Sequence, residues 1–135
     1  MKKFLPGILW LWLWLPLSGQ EHEIIRSIYF GGGSYYITDT QRGAINHFLD
    51  SLPYLENYQI TISSHTDNIG GVEYNQWLSQ MRSEAVLQQL AEKQIPREKV
   101  LTRNNGLHNP YFDNETYIGR LSNRRVDIIF TPPVF

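Results

Sequence analysis

Hydrophobic and polar residues alternate along this chain with two periods, one typical of strands and one typical of helices. Apolar side chains occupy every second position from Tyr58, as in a half-buried strand. Apolar residues from Ile45 instead recur at the spacing of one helical face, after a capping position at Asp39 or Thr40. The pattern predicts strands at 24–30, 58–63, 99–103 and 125–130, a helix that ends before Pro53, and a long helix over 72–93. This order predicts an α+β fold, an α/β sandwich in which a mixed sheet carries helices packed on it.

The first 19 residues differ in composition from the rest and have the pattern of a secretory signal peptide. Lys2 and Lys3 precede a largely apolar stretch, 4–17, after which Gly19 leads into polar sequence. An uncleaved membrane anchor is the alternative, but a spanning helix needs about 20 apolar residues, and this stretch is shorter and contains prolines. We expect residues 1–19 to be a signal peptide, 20–27 a lead-in, 28–131 one folded domain and 132–135 a C-terminal tail.

Charge and cysteine content exclude several classes of function. The chain has 12 basic and 13 acidic residues, and without the two lysines of the leader 10 basic residues remain against 13 acidic ones. Proteins that bind duplex nucleic acid need a basic face, so this balance argues against a nucleic-acid partner. The chain has no cysteine, which excludes disulfides and thiol catalysis. Because the four histidines lack metal-ligand spacing, we expect no metal and no cofactor.

The long predicted helix has a charged residue on its apolar side. Arg82 lies in the same row as Leu78 and Val86, and a buried arginine needs a partner. Asn75 lies about 20° from Arg82 around the helix, and Asp67 lies in the turn that precedes the helix. One interpretation is a structural salt bridge between Asp67 and Arg82. The other is a site for a zwitterion, in which Asp67 binds an ammonium group and Arg82 binds a carboxylate.

A second group of basic residues precedes the last predicted strand. Arg120, Arg124 and Arg125 lie close together in the sequence, and a solvated basic turn is the simplest interpretation. Successive side chains of a strand point to opposite faces, so Arg124 and Arg125 cannot both serve one site.

These charged and polar residues belong to three sequence motifs that follow one another along the chain. Residues 64–70 read SHTDNIG, residues 74–82 read YNQWLSQMR, and residues 114–126 read NETYIGRLSNRRV. They resemble the G-H-T-D-x-x-G turn, the Y-N-x-x-L-S-x-x-R helix and the N-x-T-x-x-G-R-x-x-N-R-R-V ending of the OmpA-like peptidoglycan-binding domain. The resemblance covers about 28–130, nearly all of the chain after the leader.

The resemblance implies a βαβαβ-type mixed sheet and noncovalent binding of peptidoglycan. It implies that Asp67 and Arg82 hold the free amine and carboxylate of meso-diaminopimelate in the stem peptide, and that Arg124 reaches a carboxylate of the peptide. The implied ligand-binding residues are Asp67, Arg82, Asn75, Leu78, Arg124, Thr66 and Asn68. The glycines at 31–33 depart from the family, which often places Asp and Asn there.

By this resemblance we expect a binding protein rather than an enzyme, in the periplasm of a Gram-negative cell and associated with the outer membrane or cell wall. Its expected partners are diaminopimelate-type peptidoglycan and other envelope proteins, with no membrane span after the leader. A hydrolase is one alternative, since suitable residue types are present at His65, Asp67, Ser79 and Ser64, although no serine lies on a recognisable nucleophile elbow. The other is an envelope protein-interaction module with a degenerate ligand site. For Trp77 two interpretations stay open, an exposed partner contact or packing in the core or site.

Overall fold

The computed structural model describes residues 22–134, so the predicted signal peptide at 1–19 and the alternative anchor lie outside the described residues. The elements are β1 (Ile24–Tyr29), α1 (Asp39–Ser51), β2 (Gln59–Ser64), α2 (Val72–Glu92), β3 (Val100–Asn104), α3 (Tyr117–Asn123) and β4 (Arg125–Thr131). Strand β1 thus begins inside the segment 20–27 that the sequence assigned to a lead-in. Within 22–134, no helix combines the length and apolar character needed to cross a membrane.

The four strands form one mixed sheet in the order β1-β4-β2-β3. Strand β4 is antiparallel to both of its neighbours, and β2 is parallel to β3. The parallel pair is joined by α2, because parallel neighbours need a long crossover connection. The α+β fold with a mixed sheet is therefore confirmed, and α3 is an element that the sequence pattern did not predict.

Helices α1 and α2 bury their apolar residues against one face of the sheet. The alternation in β4 is clear, since Val126, Ile128 and Phe130 are buried in the core while the residues between them are half-buried. The helices contribute Ile45 and Leu49 from α1 and Val86, Leu87 and Leu90 from α2 to the same core. This packing fixes the N-terminal end of α2 beside the end of β2.

The start of α1 differs from the prediction. Thr38, rather than Asp39 or Thr40, is the N-cap, with its Oγ1 accepting a hydrogen bond from the Gln41 backbone N–H at 3.2 Å. The Gln41 side chain accepts in return from the Thr38 backbone N–H at 2.9 Å. This reciprocal capping box decides the position, because glutamine lies three residues after Thr38.

The short helix α3 sets the position of the arginines that precede β4. Thr116 caps it by accepting a hydrogen bond from the Gly119 backbone N–H at 2.9 Å. A Cβ atom at Gly119 would overlap the backbone carbonyl of Asp113, so only glycine fits there. The helix ends at Asn123, and Arg124 and Arg125 follow directly.

Candidate functional site

A small cavity of about 130 Å³ lies where four segments meet: the loop after β1, the turn after β2, the first turns of α2, and residue 124 between α3 and β4. Its lining residues are Gly32, Gly33, Thr66, Asp67, Ile69, Tyr74, Asn75, Leu78, Arg82 and Arg124. The site therefore combines three charged side chains with apolar and backbone surface.

Six of the seven residues expected from the sequence line this cavity, and Asn68 does not. The Asn68 side chain is exposed on the turn. Gly32 and Gly33 of the glycine stretch also line the cavity, and the lining residues that the sequence analysis missed are Ile69 and Tyr74. Tyr74 could have been found, because it lies four residues before Leu78 and eight before Arg82, in the same helical row.

Arg82 holds two walls of the cavity together. Its guanidinium donates from Nε to the Ser34 carbonyl at 2.8 Å, from Nη2 to the Gly31 carbonyl at 3.0 Å and from Nη1 to the His65 carbonyl at 3.0 Å. The residue is 1% exposed and lies over the Phe30 ring at 5.1 Å. Three of its five N–H donors are thus used, and within the described chain two remain for a ligand.

Asp67 is paired with Arg124. The Asp67 Oδ2 accepts from the Arg124 Nε at 2.6 Å, and its Oδ1 accepts from the Ile69 backbone N–H at 2.9 Å. The two side chains are 8% and 14% exposed, so the pair is largely withdrawn from water. The structural salt bridge between Asp67 and Arg82 is therefore wrong, because Arg82 is bonded to carbonyls. The solvated basic turn is wrong as well.

The three charges leave the site with an excess of positive charge. The pKa of Arg82 is lowered to about 10, mainly by burial and also by the nearby Arg124 guanidinium, while the Asp67 carboxylate acts in the opposite direction. Arg82 still carries its charge at neutral pH. Two guanidinium groups against one carboxylate make the cavity suited to a ligand that supplies an additional carboxylate.

Asn75 presents an unused acceptor. Its Nδ2 donates to the carbonyls of Ile69 and Gly71 at 3.0 and 3.1 Å, which fixes the orientation of the amide. Its Oδ1 is buried and has no hydrogen-bond partner among residues 22–134. Buried acceptors are rarely left unpaired, so this oxygen marks a position for a donor from a ligand or from water.

Two glycines accommodate the Tyr74 ring at the edge of the cavity. Gly33 has a φ of +68°, and a Cβ there would lie 3.1 Å from the Tyr74 hydroxyl oxygen. Gly70 has a φ of +98°, and a Cβ there would lie 2.8 Å from Cδ1 of the same ring. Because neither glycine has a side chain, the Tyr74 ring can lie directly against the backbone at positions 33 and 70. At position 33 the ring occupies space that a polar side chain would otherwise fill.

Comparison with known proteins identifies the family of the chain. The sequence model of the OmpA family matches residues 29–124. The chain belongs to the OmpA family. It is 32% identical over 112 residues to the outer-membrane lipoprotein YfiB of Pseudomonas aeruginosa, an alignment that covers 83% of this chain and 67% of that protein. It is 30% identical over 102 residues to ArfA of Mycobacterium tuberculosis, described as a peptidoglycan-binding protein, covering 76% of this chain and 31% of ArfA.

A solved structure supports the same family. The crystal structure of the peptidoglycan-associated lipoprotein from Burkholderia pseudomallei matches with a TM-score of 0.69 at 28% identity, covering 78% of this chain and 90% of that one. The chain spans about a third of ArfA and two thirds of YfiB. The predicted family and fold are thus confirmed.

A serine, a histidine and an aspartate of this OmpA-family domain lie together outside the cavity lining. The His65 Nε2 is 3.2 Å from the Ser63 Oγ and 3.9 Å from the Asp127 Oδ2. Both contacts involve the same ring nitrogen, and Nδ1 has no partner in the described chain. A catalytic triad needs the acid and the serine on opposite ring nitrogens, so this group lacks the required geometry.

A larger cavity of the described domain lies elsewhere, between α1 and the edge strand β1. It has a volume of about 590 Å³ and is lined mainly by apolar residues, including Ile28, Ile45 and Phe48. Its lining, as far as the described residues show, contains no carboxylate to pair with Arg26 or with a ligand ammonium. The smaller cavity is the better candidate for the binding site, because charged side chains converge on it.

Proposed function

We propose that this domain binds peptidoglycan noncovalently, through the ammonium and carboxylate groups at the end of meso-diaminopimelate in the stem peptide. The family membership and the description of ArfA as a peptidoglycan-binding protein support peptidoglycan as the polymer that is bound. The observation that carries the proposal is a buried set of one carboxylate and two guanidiniums that lines one cavity together with the Asn75 Oδ1, an acceptor without a partner among residues 22–134. This set is complementary to a zwitterion.

The Asp67–Arg124 pair makes binding an exchange of partners. A ligand ammonium that takes the Asp67 carboxylate displaces the Arg124 Nε from it, and the Asn75 Oδ1 accepts a second ammonium proton. The ligand must then return a carboxylate to Arg124 and to the two free N–H groups of Arg82. An ammonium without a neighbouring carboxylate leaves two buried guanidiniums unsatisfied, which is costly.

Two stem peptides distinguish this mechanism from simple charge attraction. We expect the protein to bind a peptide that ends in meso-diaminopimelate at least about tenfold more tightly than the matching lysine peptide, equivalent to about 1.4 kcal/mol. Lysine supplies the ammonium without the carboxylate. Calorimetric titration of both peptides against one protein sample measures the ratio, and equal affinities would show that the arginines do not recognise the carboxylate.

An isosteric variant tests whether the charge of the Asp67 carboxylate is needed for binding. Asp67→Asn keeps an oxygen for the Ile69 N–H but removes the charge, so we expect loss of pull-down by diaminopimelate-type sacculi, with a cost of roughly 2–5 kcal/mol. The matched control is Arg103→Ala, which removes an exposed charge on β3 outside the cavity lining. Unchanged pull-down by Asp67→Asn contradicts the proposal.

We propose binding without turnover, in the periplasm and in association with the outer membrane or wall. The relatives include a protein described as an outer-membrane lipoprotein, and other envelope proteins are the expected further partners. Both Ser63 and Asp127 lie on the Nε2 side of His65, which supports a structural role for that group. Soluble fragments released from sacculi during incubation would contradict binding alone, and absence of both pull-down and fragments would favour a protein-interaction module.

A further inference from the structure

Three aromatic residues form a surface cluster beside the candidate site. Tyr35, Tyr74 and Trp77, here called the aromatic cluster, are 41%, 45% and 46% exposed. The rings of Tyr74 and Trp77 have centroids 5.9 Å apart and are inclined by only 35°, while Tyr35 meets Trp77 nearly at right angles, also at 5.9 Å. The perpendicular contact orients the Trp77 ring and still leaves nearly half of the residue accessible.

The aromatic cluster is joined to the cavity through residues of the site itself. Tyr74 belongs to both, since it also lines the cavity, and Trp77 lies one helical turn further along α2. Tyr35 follows Ser34, whose carbonyl accepts the Arg82 Nε hydrogen bond. The cavity and the cluster therefore share two segments of the chain, the loop after β1 and the first turns of α2.

Packing of the domain does not account for these rings. None of the three belongs to the hydrophobic core between the helices and the sheet. Large aromatic faces that stay exposed in a defined arrangement mark binding surfaces more often than scattered apolar residues do. Three rings are too small an area for a stable protein interface, which buries about 800 Å² on each partner.

We propose that the aromatic cluster is a subsite for the N-acetylated amino sugar to which the stem peptide is attached. The inference rests on the proposed function and extends it from the peptide to the glycan strand. A pyranose ring has an apolar face of C–H groups that packs on tyrosine and tryptophan rings, while its hydroxyl groups remain in water. Tyr74 and Trp77 lie 5.9 Å apart and are both nearly half exposed, so one such ring can contact both residues.

The chain length of the ligand is compatible with this placement. The bound groups lie at the end of the diaminopimelate side chain, so this side chain and two further residues separate them from the sugar, and the two residues alone span about 7 Å when extended. The centroids of Tyr74, at the edge of the cavity, and Trp77 are 5.9 Å apart. A ligand held in the cavity can therefore place its sugar over Trp77.

The test compares one peptide with and without its sugar. Calorimetry would measure the Kd of the free diaminopimelate tripeptide and of the same peptide on its disaccharide, for the unmodified protein, Trp77→Ala and Trp77→Phe. We expect the unmodified protein to bind the disaccharide form about tenfold more tightly, as removal of an aromatic anchor at an interface suggests. Trp77→Ala should lower that ratio to about one and leave the Kd of the free peptide within about twofold, and Trp77→Phe should restore most of the ratio.

Each alternative outcome is decisive. Equal affinity of the unmodified protein for the two ligands overturns the sugar subsite and leaves the proposed function intact. A ratio that survives in Trp77→Ala overturns the assignment to the aromatic cluster. Failure of the free peptide to bind at all refutes the proposed function and the subsite together. Tyr54→Ala, an exposed tyrosine between α1 and β2, is the matched control and should keep the ratio.

Discussion

The replacement Arg82→Lys tests whether one guanidinium holds the two walls of the site together. The arginine bonds to the carbonyls of Gly31 and Ser34 on the loop after β1 and to that of His65 on the turn after β2. Lysine keeps the charge and most of the length, but it carries a single nitrogen. One ammonium group cannot reproduce a planar fork directed at three separate carbonyls.

The expected loss of stability follows from the count of these bonds. Hydrogen bonds to a charged group contribute about 1.5–3 kcal/mol each, and we expect lysine to keep one of the three. The loss of two corresponds to about 3–6 kcal/mol. Relaxation of the exposed parts of the loop brings the expected value to the lower end, about 3 kcal/mol, which is a large part of a typical total of about 5–15 kcal/mol.

Urea unfolding followed by far-ultraviolet circular dichroism measures this loss. The matched control is Arg103→Lys on the exposed side of β3, for which we expect a change below about 0.5 kcal/mol. If Arg82→Lys costs less than about 1 kcal/mol, the three bonds do not hold the walls, and the structural role assigned to Arg82 is mistaken. Because Arg82 is needed for the fold of the site, reduced binding by its variants is interpretable only beside this measurement.

Three further predictions concern particular residues. Gly119→Ala should destabilise the protein by about 1–3 kcal/mol or more in urea unfolding, since its Cβ overlaps the Asp113 carbonyl. Thr38→Ala should cost about 1 kcal/mol through loss of the capping box, and Thr38→Ser should not. Burial, followed by the Arg125 charge, lowers the pKa of His65 against the opposing effect of Asp127, so stability should fall as pH drops below about 6.5, where the unfolded chain takes up the proton. His65→Gln should flatten that part of the urea-midpoint profile, and the exposed-site variant His108→Gln should not.

Local spacing predicted the helical half of the site well. Asn75, Leu78 and Arg82 share a face because they lie on one helix, and the geometry of a helix is the same in every protein. Asp67 precedes that helix in the turn, so its proximity also follows from the chain. The exact start of α1 was harder to predict, because a capping box depends on which of several adjacent Thr and Asp residues finds a partner three positions later.

Partner choice within the site could not be predicted from spacing. The sequence suggested Asp67 with Arg82, which are 15 positions apart, whereas Asp67 binds Arg124, which lies 57 positions away. Arg82 instead satisfies backbone carbonyls that no pattern of side chains reveals. The two interpretations of Arg82 from the sequence, a salt bridge with Asp67 and a zwitterion site, did not include a guanidinium bonded to three carbonyls.

The order of the strands explains the pairing of Asp67 with Arg124. Strand β4 is inserted between β1 and β2 and runs antiparallel to both, so its first residue lies beside the last residues of those strands. Arg124 immediately precedes β4, and Asp67 follows the end of β2 by a few residues, so the sheet brings them to one edge. The Arg124 backbone carbonyl also accepts from the Phe30 N–H at 2.9 Å, at the start of the glycine loop. Three distant segments of sequence thus meet in one cavity because the last strand joins the sheet at its centre, and the charge balance of the cavity depends on that insertion.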